Sequence, residues 1–350
     1  MGWKEQLSEI TGPDESARKE SKQRWDGVAK PLGSLGLLED AVIKIAALTG
    51  DPEYSIENRT LLVFCADNGV VAQGITQTGS EVTAAVARGF AREGSCACTM
   101  ARKADCRVVA VDMGIRDFPE TIGVLNKRVG NGTADITTGP AMSADQLIQA
   151  IGTGVELAAA EKAAGTRLLV TGEMGIGNTT TASAVVSVLL GCEPEEVTGK
   201  GAGLTDRGLQ KKIEVIKKAI AVNCPDPTEP LDVMSKLGGF DIAGMTGVFL
   251  GGAIHGIPVL IDGVISAAAA LCAAKLCPAA CKAMIATHLS AEPAGKMILD
   301  ALRLRPMITA GLRLGEGTGA LCAIPMLDMA YALYQGSTFD DLKIESYKEL

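Results

Sequence analysis

Short unbroken apolar runs alternate with longer alanine-rich segments along most of this chain, and that alternation most constrains its fold. The runs are Thr60–Ala66, Arg107–Asp112, Arg167–Thr171, Pro258–Asp262 and Lys282–Thr287. Each is rich in β-branched or other apolar residues and lacks the polar alternation of a strand with one wet face. Such strands are buried on both sides, as in a parallel sheet covered by helices. The intervening segments predict helices over Glu81–Lys103, Ala144–Ala164, Thr180–Leu190, Thr205–Val222, Asp241–Ile254, Gly263–Leu276, Pro293–Leu302 and Ala320–Tyr334. The expected fold is therefore α/β, doubly wound around a mainly parallel, Rossmann-like sheet. Residues 1–50 read as charged helices broken at Lys30-Pro31-Leu32-Gly33-Ser34-Leu35-Gly36. Together with residues 335–350 they are expected to form a smaller helical domain beside a large catalytic α/β domain over 51–334.

Composition removes several function classes. The chain has a net charge of −8 and no basic stripe, so nucleic acid is not an expected partner. Ile257–Leu276 approaches the length of a membrane span. Pro258 and Asp262 interrupt it, so strand followed by helix is expected and no membrane partner. The ten cysteines sit mostly in apolar runs, where they act as small hydrophobes. With no apolar leader at Met1-Gly2-Trp3-Lys4, a reducing cytoplasm is the expected location. Cys272, Cys277 and Cys281 offer three thiols where closed metal sites take four ligands. His255 and His288 have no second ligand at useful spacing, so neither a metal nor a cofactor is expected.

Two glycine-rich segments carry the chemistry. One is Gly172-Glu173-Met174-Gly175-Ile176-Gly177-Asn178-Thr179-Thr180; the other is Gly311–Ala320, with Gly315-Glu316-Gly317-Thr318-Gly319 at its centre. Each holds one carboxylate among glycines just before a helix, where backbone can approach a ligand and helix N–H groups face an anion. Glu316 is the leading general base, since little but substrate would cover it and burial would raise its pKa. A glutamate that merely favours a helix start is the competing reading. Glu173 would orient substrate, assist proton transfer or cap a turn. Gly175, Gly177, Asn178, Thr179 and Thr180 form a candidate cradle for phosphate or carboxylate. The cradle lacks the lysine of an NTP-binding loop. Lys211 or Lys212, after a third glycine loop at Lys200–Asp206, would meet a phosphate or simply face solvent. Asp67 and Asp262 end candidate strands, as ribose-hydroxyl ligands or as turn residues. No Gly-x-Ser-x-Gly elbow is present, which argues against a hydrolase.

At these residues the chain resembles the nicotinate-nucleotide–dimethylbenzimidazole phosphoribosyltransferase family, which activates the lower-ligand base of cobamides. The matching pieces run nearly end to end: Lys30–Gly36, Ala66-Asp67-Asn68-Gly69-Val70, Asn131-Gly132-Thr133, Gly139-Pro140-Ala141-Met142, Gly172–Ser183, His288-Leu289-Ser290-Ala291-Glu292-Pro293 and Leu312–Ala320. The resemblance implies that nicotinate mononucleotide gives its 5-phosphoribosyl group to an aromatic base, with inversion to an α-riboside 5'-phosphate and loss of nicotinate. The leaving pyridinium departs as a neutral ring, so one base and no metal suffices. The family motif gives that role to Glu316. It also implies mononucleotide contacts at Gly175, Gly177 and Thr179, and phosphate contacts at Lys212 and Ser290.

The base pocket implied by the family is formed by Asp67, Asn68, Ser80 and Leu314. Here the chain departs from the pattern. Asn68 stands where relatives usually have His, and Ser80 where they usually have the Gln of a Pro-Gln pair. Losing that amide opens the pocket to phenol or p-cresol alongside 5,6-dimethylbenzimidazole. The resemblance further implies a dimer, either a homodimer or a heterodimer with a homologous subunit. A non-catalytic partner subunit is the alternative reading, against which the intact frame around Glu316 argues.

Overall fold

The computed structural model describes residues 2–347; the last three positions of the C-terminal segment, 348–350, lie outside the described residues. Six strands form one parallel sheet: β1 Arg59–Ala66, β2 Cys106–Gly114, β3 Val124–Asn126, β4 Leu168–Met174, β5 Val259–Ile261 and β6 Met284–Ala286. Their order across the sheet is β3-β2-β1-β4-β5-β6. The expectation of a doubly wound, Rossmann-like α/β fold is borne out. Strand order reverses between β1 and β4, the place where open α/β sheets form a crevice beyond their strand ends.

The sheet is covered on both faces, as the unbroken apolar runs require. Leu61 to Ala66 of β1 are each fully buried. On one side, helices Ala144–Ala163, Phe240–His255 and Val264–Leu276 contribute to the larger apolar core. On the other, helices Leu37–Thr49, Cys96–Ala101 and Thr318–Tyr334 contribute to the second. Among the described residues, no helix is long and apolar enough to cross a membrane. All ten cysteines are free thiols.

The N-terminal helix Glu15–Gly27 meets the end of helix Thr318–Tyr334 through Trp25 and Tyr334, whose ring centroids lie 5.0 Å apart. Val28 bridges Thr338 in antiparallel fashion. In the Lys30–Gly36 turn, Lys30 Nζ reaches Glu39 at 2.7 Å, and Glu39 also accepts from the Leu35 N–H at 2.8 Å. That motif is thus a buried ion pair closing the helix junction.

Three local differences from the sequence reading have physical causes. The helix expected over Glu81–Lys103 is two helices, Glu81–Ala91 and Cys96–Ala101, split at Glu93 (φ +56°) and Gly94. Ser95 then caps the second helix, accepting from the Cys98 N–H at 3.0 Å. The last strand shortens because Pro278–Ala283 winds into a 3₁₀ turn first. Strand β3 and helix Pro230–Leu237 were not anticipated. Three residues are too few to show a period, whereas Pro at the first helical position was a usable signal for the helix.

Candidate active site

The glycine loops, far apart in sequence, meet at the strand-order reversal. They line one cavity enclosing about 1190 Å³ of empty space, its open mouth included. Glu173, Gly175, Gly177, Asn178, Thr179, Lys212, Asp262, Ser290, Leu314 and Glu316 all face it. Of the anticipated site residues, Asp67, Asn68 and Ser80 do not line it.

Glu316 sits in a backbone that only its surroundings hold in place. Gly315, Glu316 and Gly317 are left-handed in succession, with φ of +91°, +58° and +84°. For a non-glycine residue this conformation costs about 1–3 kcal/mol and is commonly found at functional sites. Two features fix it. Gly172 in β4 lies so close that a Cβ there would sit 2.7 Å from the Glu316 carbonyl oxygen. Asp262, just past β5, accepts from the Gly317 N–H at 3.2 Å and the Ala320 N–H at 2.9 Å. Asp262 thereby holds the loop and the start of helix Thr318–Tyr334 while lining the cavity.

The Glu316 side chain is half-buried, and one oxygen accepts from the Ala97 N–H at 3.1 Å. Burial pushes its pKa above the ordinary value. The Ala97 N–H and the Ser95 hydroxyl draw it down, and Asp262 pushes it up. The helix break at Gly94 supplies both donors. A carboxylate with a raised pKa, partly open to a cavity, has the attributes of a general base.

Glu173, the last residue but one of β4, is almost fully buried. It accepts a hydrogen bond from Asn178 Nδ2, which also donates to Asp241 Oδ2 at 3.0 Å. Burial, with Asp241, Asp262 and Glu316 nearby, pushes Glu173 up to about 8 despite the Asn178 bond. Asp241 is pushed up to about 6, again chiefly by burial. Asp241 was not anticipated, although Gly238-Gly239 before a helix repeats the signal that identified the other loops.

Lys212 defines the cationic end of the cavity. It is 1% exposed, and its Nζ donates to Thr179 Oγ1 at 2.8 Å and to the Gly199 carbonyl at 3.2 Å. It has no ion-pair partner among the described residues; burial lowers its pKa to about 8, partly offset by Glu292. A buried, unneutralised ammonium costs folding energy unless an anion joins it. Ser290 is buried and lines the same cavity, its Oγ accepting from the Glu292 N–H at 3.3 Å. His288 also lines the cavity, with burial lowering its pKa. Thr180 is buried outside the lining, and Lys211 lies elsewhere too.

The three residues off the lining form a polar layer behind the Gly175–Gly177 loop. Asp67 Oδ2 accepts from the Arg116 N–H at 2.7 Å, with the Thr83 and Ser80 hydroxyls beside its carboxylate. Thr83 Oγ1 in turn accepts from the Ile176 N–H at 3.1 Å. Asn68 accepts from Thr181 Oγ1 at 3.3 Å. Thr76, Gln77, Thr78 and Met174 were not anticipated and do line the cavity.

A family model described as phosphoribosyltransferase matches residues 10–344. A nicotinate-nucleotide–dimethylbenzimidazole phosphoribosyltransferase of Ruminiclostridium cellulolyticum is 44% identical over 351 residues, spanning 100% of both chains. The chain belongs to the nicotinate-nucleotide–dimethylbenzimidazole phosphoribosyltransferase family. The resemblance read from its motifs is borne out, as is its class as a phosphoribosyl-transferring enzyme. The family member of Clostridium acetobutylicum is 43% identical over 97% of each chain. Among solved structures, CobT from Thermus thermophilus superposes with a TM-score of 0.90 at 36% identity. That match covers 95% of this chain and 100% of the other.

Proposed function

We propose that the chain transfers the 5-phosphoribosyl group of nicotinate mononucleotide to an aromatic base, 5,6-dimethylbenzimidazole among them. The products are the α-riboside 5'-phosphate and nicotinate. The observation that carries this reading is the make-up of the cavity, whose lining joins the carboxylates Glu173 and Glu316 to Lys212, a buried ammonium with no ion-pair partner among the described residues. Lys212, Thr179 and Ser290 would hold the phosphate. The incoming ring nitrogen attacks C1' from the face opposite the pyridinium. The C1'–N bond breaks, its electron pair stays on nicotinate, and the proton shed by the incoming base passes to Glu316. Incubating the purified protein with nicotinate mononucleotide and a panel of bases, with products identified by mass, tests the assignment. Absence of any ribosylated product with every base would refute it.

The base choice belongs to the same proposal. Ser80 lies one layer behind the lining, where the longer amide of relatives would reach an azole nitrogen and Ser80 does not, a loss of about 0.5–1.5 kcal/mol, or up to about tenfold in preference. A phenol needs no such partner. Phenol or p-cresol is therefore expected to be accepted alongside 5,6-dimethylbenzimidazole in an equal-concentration competition assay. Exclusive benzimidazole products, with no response to Ser80→Gln, would contradict the role of Ser80.

We further propose that the enzyme works as a dimer, homomeric or with a homologous subunit, in a reducing cytoplasm. The family resemblance carries this reading of a dimer. Light scattering at micromolar concentration is expected to give twice the chain mass for the homomeric form. A fully active monomer would overturn the dimer.

A further inference from the structure

Glu173 and Asp241 come from different elements and meet at a single amide. Glu173 is the last residue but one of β4, Asp241 lies in the first turn of helix Phe240–His255, and Asn178 Nδ2 donates to both. Asp241 is fully buried, and a Cβ on Gly175 would lie 2.6 Å from its Oδ2. Among the described residues, no cation compensates the two. The charged neighbours of Glu173 are Asp241, Asp262 and Glu316, and the groups bonded to Asp241 are Asn178, Asn68 and backbone. Cys65 of β1, a neutral thiol, also faces both carboxylates. His288 faces Asp262, and Lys212 donates to Thr179, the residue after Asn178. Two ionised carboxylates in such a setting repel through low dielectric, which favours a proton on one of them.

We propose that Asp241 is a positioning residue: across Asn178 it keeps a proton on the Glu173–Asp241 pair while the site is empty, and the pair gives that proton up when a cationic pyridinium nucleotide enters. The inference rests on the reading above that the ligand is such a nucleotide. In this step the Glu173 carboxyl becomes a carboxylate and its proton leaves to the buffer. No bond to the nucleotide forms. The negative charge then arrives only with the cation that needs it, and it stays beside C1' as positive charge develops there during transfer. Glu316 keeps its task as base for the incoming ring.

Calorimetric titration with nicotinate mononucleotide, without an acceptor base, reads this directly when repeated in buffers of different protonation enthalpy from pH 6 to 9. The wild-type protein is expected to release close to one proton per site near neutral pH, and Glu173→Gln to lose that release while still binding. Asp241→Asn removes the repelling charge, so the pH of half-maximal release is expected to fall by about one unit. Ribose 5-phosphate, which lacks the cationic ring, is expected to bind without that release. Contributions from Lys212 and the phosphate are common to all these proteins and cancel in the comparison. Equal release by wild type and Glu173→Gln, or an unmoved midpoint in Asp241→Asn, would overturn the inference. A wild-type protein that transfers ribose phosphate without the release sinks the inference alone; one that does not bind the mononucleotide sinks the functional reading and the inference with it. Should Asp241→Asn fail to fold, infrared difference spectra of the wild type decide. A protonated-carboxyl band assigned through Glu173→Gln is expected to vanish on mononucleotide addition, and its absence from the empty protein refutes the proposal.

Discussion

Glu316→Gln is expected to lower the rate of transfer by roughly 10²–10⁴-fold, the usual worth of a positioned general base, with nicotinate mononucleotide binding unchanged. The variant keeps the shape of the side chain and its acceptor for the Ala97 N–H, and it removes only basicity. It also keeps a residue that the strained loop already tolerates at φ +58°. Single-turnover rates with saturating mononucleotide and dimethylbenzimidazole measure the chemical step, and calorimetry measures binding separately. The pH profile adds an independent check. Glu316 must be ionised to accept a proton, and burial raises its pKa, so wild-type kcat/KM is expected to fall on the acid side as that group protonates. The acid limb should weaken or vanish in the residual activity of Glu316→Gln. Near-normal turnover by the variant would move the base elsewhere, with Glu173, Asp262 and Glu292 the other carboxylates in the lining.

The parts of this site that could be read in sequence share one property: their signal is local. Gly315-Glu316-Gly317 declares a left-handed turn because glycine is the residue that tolerates one, and the carboxylate between the glycines marks its purpose. Lys212 was one of two adjacent candidates. Only the packing of helix Asp206–Asn223 determines that it, and not Lys211, is buried against Thr179. Asp262 was legible as a strand-end carboxylate, whereas its bonds to Gly317 and Ala320 span more than fifty residues and leave no local trace. The same holds for Asp241, whose partner Asn178 lies on another helix. Register between distant elements is set by burial of the sheet faces, and no short-range pattern encodes it. The polar layer at Asp67, Asn68 and Ser80 illustrates the limit. Motif position brought these residues close to the cavity, and strand and loop packing set them one layer behind it.

Lys212→Met is expected to weaken nicotinate mononucleotide binding by a factor of roughly 30–10³, as loss of one partner from a buried, hydrogen-bonded charge pair costs about 2–4 kcal/mol. The same change is expected to stabilise the empty protein at pH 7. Folding holds the Lys212 pKa near 8 against an ordinary 10.5, so the unfolded chain binds that proton more tightly. Below about pH 8 the full burden of burying the charge, roughly 3 kcal/mol, falls on the native state. Between about pH 8 and 10.5 it fades, because the native lysine is already neutral and the cost of removing the proton held by the unfolded chain falls as pH nears 10.5. Methionine fills similar volume without a charge, leaving the Gly199 carbonyl without its bond, a loss of about 1 kcal/mol. The net gain should appear as a melting temperature a few degrees higher at pH 7 and should shrink or reverse towards pH 10. In the wild-type enzyme the same group sets the alkaline limb. Lys212 must be charged to meet phosphate, so kcat/KM is expected to decline above about pH 8. Bound phosphate raises the pKa of the lysine it contacts, and kcat should therefore hold to higher pH. Differential scanning calorimetry at the two pH values, with binding isotherms for the mononucleotide, checks both halves. Weak binding without stabilisation would mean that Lys212 is already neutralised by a partner within the fold. Stabilisation without loss of binding would mean that the phosphate lies elsewhere, with Lys200 and Arg313 the other cations in the lining.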